Sequence, residues 1–130
     1  MTQADYAKFS EPFDKMILEA VRGEPMNTLH LHGDKVYLDR FYQGWPASII
    51  NYSLHGTGVP IARVREKYSG VLMAGLDERN YRQLTRGMLK QQWAEAQRAA
   101  GKKFILAPGC SVPNDSTDEE LLTLRRMFGA

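Results

Sequence analysis

The sequence predicts an α/β fold built on a parallel sheet. Three observations lead there: four short apolar or β-rich runs (28–32, 47–52, 70–75 and 103–107), a helix-period segment after each, and chemistry-bearing side chains gathered where the runs end. Such runs read as parallel strands joined by right-handed crossovers. Ligands in these sheets collect at the strands' C-terminal ends, and His30, His32, Asn51, His55, Asp77 and Cys110 all fall in that region. Four units are too few for a closed eight-stranded barrel, and an open half-barrel leaves two unpaired edges and an uncovered inner face. A second copy of the chain, a missing N-terminal half, or rearrangement into an open three-layer sandwich would each cover that face.

The elements follow in order. Ser10 is placed to cap a helix running to about Arg22, with Pro12 early and Phe13, Met16, Ile17, Ala20 and Val21 on one inward face; Gly23 and Pro25 stop it. The first strand is the run Thr28–His32. Asp34 can then cap a short helix with Leu38 and Phe41 inward, broken at Gly44-Trp45-Pro46. Ala47–Tyr52 is the second strand, and the loop Ser53–Gly58 leads to Pro60 and a helix lined by Ile61, Val64 and Tyr68. Gly70–Gly75 is the third strand, before a long helix with Leu84, Met88, Leu89, Trp93 and Ala96 inward and Gly101 as its stop. Lys103–Ala107 is the fourth, and Thr117 with Glu120 forms a capping box for a last helix packed through Leu121, Leu124 and Phe128.

Composition narrows the function classes. The chain has 130 residues, 43% of them apolar, enough for one globular domain over 1–130 with a buried core. A net charge of +2, with basic residues dispersed among acidic ones, offers no stripe that would track phosphates, so no nucleic-acid partner is expected. Cys110 is the only cysteine, which excludes an internal disulfide and fits a reducing, cytoplasmic setting. No apolar run approaches the ~20 residues of a membrane span, and Met1 is followed by polar residues, so neither a membrane partner nor a signal peptide is expected.

The chemistry concentrates in Thr28-Leu29-His30-Leu31-His32-Gly33-Asp34. Because a strand repeats every two residues, His30 and His32 point the same way, roughly 6–7 Å apart, and Leu29 and Leu31 point the other way. The leucines should pack under helices while the histidines look into a catalytic or metal-binding cavity; the plainer alternative is two polar residues filling a sheet interior. Cys110 reads either as a small buried residue or, after Pro-Gly in a strand-to-helix loop, as a ligand beside the histidines. His55, in a loop lacking the lysine of a phosphate-binding loop, is either solvated or a substrate contact. Asp77 is either the cap of the long helix or a substrate-binding group, and of Asn51 and Tyr52 one must face inside.

Three stretches carry a family likeness. The Leu29–Asp34 run, the segment Phe104-Ile105-Leu106-Ala107-Pro108-Gly109-Cys110-Ser111-Val112-Pro113 and the helix entry Thr117-Asp118-Glu119-Glu120-Leu121 resemble the C-terminal half of the uroporphyrinogen decarboxylase (URO-D) superfamily, over about Tyr6 to Phe128. The resemblance implies the C-terminal half of a TIM-type (β/α)8 barrel. It implies one of two activities: uroporphyrinogen decarboxylation in haem and porphyrin biosynthesis, which needs no cofactor, or zinc-dependent methyl transfer between corrinoids (cobalamin) and thiols.

The motifs favour the second branch. A histidine is expected near Cys110 and a Gly-Asn-x-Asp-Pro turn near Gly75 in the decarboxylases, whereas this chain has Cys110 and Gly75-Leu76-Asp77-Glu78. The methyltransferases carry His-x-Cys-Gly after the fifth strand and Pro-Gly-Cys after the eighth, so His30 matches the first zinc ligand, Cys110 the last, and His32 stands where a cysteine would be. A His-His-Cys set remains a legitimate zinc triad with one position open. The resemblance further implies a corrinoid protein as partner, and either a homodimer or an N-terminal half-barrel to complete the fold. A half-barrel that acts only as an assembly module is the non-catalytic reading.

Overall fold

The computed structural model describes residues 1–128. Helices α1 (Gln3–Phe9) and α2 (Glu11–Ala20) precede strand β1 (Thr28–Leu31), and strand β2 (Ile49–Tyr52) is followed by the short helices α3 (Leu54–Thr57) and α4 (Ile61–Arg65). Strand β3 (Val71–Leu76), the long helix α5 (Arg86–Ala100), strand β4 (Phe104–Pro108) and helix α6 (Asp118–Met127) complete the order. The strands form one sheet in the order β1-β2-β3-β4, every neighbouring pair parallel. The α/β class, the four strands and the parallel sheet are therefore as expected, and the arrangement is compatible with half of a βα barrel.

Register assigns the two faces. His30, Asn51, Met73 and Ile105 are successive partners across the sheet and share one face. Their neighbours Leu31, Tyr52, Leu72 and Ala74 face the other way, into a core with Ile61, Val64, Ala96 and Ala100. Burying each larger aliphatic or aromatic side chain there is worth about 1.5–3 kcal/mol. A smaller cluster of Leu76, Tyr81 and Leu89 gathers Leu106, Leu124 and Phe128 beneath α5 and α6.

Several expected details differ. Ser10 makes no capping bond with its side chain, because a helix already lies before it: Thr2 and Asp5 form a capping box that starts α1, and the Ser10 N–H closes α1 on Tyr6. On α2 the buried residue is Leu18, while Phe13, Met16 and Ile17 are 63%, 68% and 67% exposed. Periodicity reveals an apolar stripe but not what lies beneath it, and α2 flanks the free edge of β1, beside which no further strand lies among the described residues. Asp34 caps no helix; only a 3-10 turn, Leu38–Arg40, forms there, although Leu38 and Phe41 are buried as expected. The stretch 53–58, read as a loop, holds α3, with the Ser53 side chain accepting from Gly56 N–H and Gly58 closing it. Met88 and Leu121 point outward, 48% and 39% exposed.

The long helix begins later than expected, at Arg86, and Thr85 caps it. Asp77 instead stabilises the preceding turn, its Oδ1 accepting from the N–H groups of Arg79 (3.2 Å) and Asn80 (3.1 Å). The capping box of Thr117 and Glu120 is present at α6. Arg82 fastens it further, donating to Glu120 at 2.8 Å and Asp115 at 2.9 Å, and this guanidinium holds the Glu120 carboxyl at about 2, below the usual carboxylate range.

Candidate metal centre

Three of the six candidate residues converge. The ligating atoms of His30, His32 and Cys110 all lie within 4.8 Å of one another. The convergence is not local: β1 and β4 are opposite edges of the sheet, which in a flat sheet would lie roughly 14 Å apart at ~4.8 Å per strand. Yet Cys110 Sγ, in the turn after β4, stands 3.2 Å from His32 Nδ1, just past the end of β1. Gly33, with φ at 105°, turns the chain away immediately after His32, in a region where a side chain would be strained. Both histidines are exposed and Cys110 is half-buried, so the group is open to solvent on one side.

Asn51 sets the tautomer of His30. Its Nδ2 donates to the backbone carbonyls of Met73 at 2.8 Å and Pro108 at 3.1 Å, so its Oδ1 is the atom facing His30 Nδ1 at 2.6 Å. An amide oxygen only accepts, so Nδ1 carries the proton and Nε2 keeps its lone pair free. A partner on one ring nitrogen that frees and aims the other is the arrangement around metal-binding histidines generally. Asn51, whose place at the strands' C-terminal ends makes it a candidate substrate contact, has its polar atoms engaged by His30 of β1, Met73 of β3 and Pro108 of β4.

The donor set fits a tetrahedral metal. With bonds of about 2.0–2.1 Å to nitrogen and 2.3 Å to sulfur, tetrahedral donors sit roughly 3.3–3.6 Å apart. The 3.2 Å separation of Cys110 Sγ from His32 Nδ1 is close to that. Two imidazoles and a thiolate suit zinc better than magnesium or calcium, which favour oxygen donors.

His55 and Asp77 stand with each other rather than with the triad. His55 Nδ1 is 4.0 Å from Asp77 Oδ2, and its Nε2 is 3.4 Å from the carbonyl of Gly75. Arg79 and Asp34 form a two-pronged ion pair, with Nη1 to Oδ2 at 3.1 Å. The Arg79 hydrogen bond, aided by the guanidinium charge, holds the Asp34 carboxyl below the usual range. This pair joins the turn after β1 to the turn after β3.

Glu78 is the residue that reading the sequence missed. It is 1% exposed. One oxygen accepts from Ser53 Oγ–H and the other from Gly109 N–H at 3.2 Å. In the string Asp77-Glu78-Arg79 it looks solvated, because its partners arrive from 25 and 31 positions away.

The chain matches no protein-family model, no curated protein and no solved structure.

Proposed function

We propose that the chain is the C-terminal half of a URO-D-type (β/α)8 barrel in which His30, His32 and Cys110 hold zinc for methyl transfer from a corrinoid to a thiol. The observation that carries this reading is the meeting of the three donors from opposite edges of the sheet. Zinc bound there would leave one coordination position open, and a thiol in that position loses its proton at neutral pH. Asn51 presents the His30 lone pair, and the half-buried turn after β4 presents Cys110. Decarboxylation of uroporphyrinogen has less support. Asp77 is engaged in turn hydrogen bonds, and a thiol stands where the resemblance calls for histidine.

The test is proton release. Adding a simple alkyl thiol to the zinc-loaded chain at neutral pH, followed calorimetrically in buffers of different ionisation enthalpy, is expected to release about one proton per thiol bound. Thiol binding with no proton released would refute the reading.

A second reading, of assembly, rests on the cavity of about 430 Å³ along β1. It touches Leu29, His30, Leu31 and His32 in succession. Leu29, His30 and Leu31 of β1 point alternately to opposite faces, so a cavity that touches all three lies along the free edge of the strand. Ile17 and Leu18 of α2 flank it. The other free edge is β4, and two four-stranded sheets joined β4-to-β1 twice about a two-fold axis make a closed set of eight. The occupant we propose is therefore β4 of a second copy. Sedimentation at micromolar concentration is expected to give a dimer for the wild-type chain and a monomer for Ile17→Glu; a wild-type monomer contradicts the assembly.

A further inference from the structure

We infer that Glu78 is a positioning residue for Cys110, holding the Pro108-Gly109-Cys110 turn where the thiol meets His32. The inference rests on reading His30, His32 and Cys110 as metal ligands, and it concerns a residue outside that set. Glu78 lies at the end of β3, yet its two oxygens reach β2 through Ser53 and the turn after β4 through Gly109. Ser53 Oγ already accepts from Gly56 N–H at 2.9 Å, so its one proton is free to go to Glu78. Both ends of the carboxylate are thereby fixed.

The turn it holds has little other freedom. A side chain at Gly109 would sit 2.6 Å from both Ser53 N and Tyr52 O, so the glycine lies directly on the β2 backbone. Gly109 N–H is the hydrogen-bond donor immediately before Cys110, and Glu78 is its acceptor. For packing alone, an apolar side chain of similar volume would serve this buried position better than a carboxylate. What the carboxylate adds is a pair of acceptors at fixed spacing, one for each neighbouring element.

Two variants separate positioning from mere support. Glu78→Gln keeps an amide oxygen for Gly109 N–H and turns its NH₂ toward Ser53 Oγ, whose own proton must then find another acceptor; the bond beside Cys110 survives, so the turn should hold as in the wild type. Glu78→Leu removes both acceptors. Glu78→Asp keeps the charge but withdraws the oxygens by one methylene, and it replaces Glu78→Leu as the test variant if the latter fails to fold.

The first readout is cobalt(II) titration. Cobalt affinity is expected to fall about 10–100-fold in Glu78→Leu, the range typical for partners of metal ligands. The sulfur-to-cobalt charge-transfer band per bound ion should weaken with it, and Glu78→Gln should retain both. A purely structural Glu78 would lower thermal stability and leave the band per bound cobalt unchanged, which overturns the inference.

The second readout needs no metal. In a His32→Cys background, the effective concentration of the introduced thiol toward Cys110, measured against glutathione, reports how well the turn is held. It is expected to fall about tenfold or more on adding Glu78→Leu and to hold with Glu78→Gln. Equal values in all three backgrounds overturn the positioning role. Failure of the wild-type chain to take up cobalt overturns the metal reading instead, and the thiol measurement still decides the role of Glu78.

Discussion

Replacing Gly109 by alanine is expected to destabilise the chain by about 3 kcal/mol or more, with the loss read as a lower urea midpoint. The added methyl would lie 2.6 Å from Ser53 N and Tyr52 O and closer still to Ser53 Cα. All three are backbone atoms at the end of β2, so no rotamer change relieves the clash; β2 or the turn after β4 must move. Either movement breaks the Gly109 bond to Glu78 and carries Cys110 away from His32. Gly87 is the control. A methyl there meets only Thr85 Oγ1, at 3.8 Å, and the residue lies in the first turn of α5, so Gly87→Ala should stabilise by about 0.5–1 kcal/mol. Equal stability of Gly109→Ala and wild type would mean that the turn does not rest on β2.

The other large effect is loss of zinc uptake when ligands are removed. In Cys110→Ala the remaining donors are two exposed imidazoles from the end of one strand, and in His30→Ala the nitrogen that Asn51 orients is gone. Either variant is expected to lose tight zinc binding. Neither should unfold the chain, because His30 is exposed, Cys110 is half-buried, and neither belongs to the apolar core. Metal-binding loss with an unchanged circular dichroism spectrum distinguishes a ligand from a structural residue.

Much of this architecture is legible in the sequence because it is local. Alternation placed His30 and His32 on one face, opposite Leu31, and short apolar runs marked all four strands. Thr117 and Glu120 announced α6 because a capping box needs only three residues of separation. What escaped depends on distant partners. Nothing near Glu78 indicates that Ser53 and Gly109 will enclose it, and nothing near Asp34 indicates that Arg79 will take its carboxylate from 45 positions away. The apolar stripe of α2 was legible, but its exposure was not, since burial depends on whether a strand occupies the edge beside β1. Either Asn51 or Tyr52 could be read as inward-facing; that Asn51 is the one, and that its amide would serve His30, follows only from the register that makes them neighbours.

Zinc titration of the purified chain against a competing chelator addresses the central claim most directly. The wild-type chain should take up about one zinc ion, bound far more tightly than by His30→Ala or Cys110→Ala. No stoichiometric uptake by the wild-type chain, or equal uptake by all three proteins, would contradict the assignment of His30, His32 and Cys110 as a metal centre.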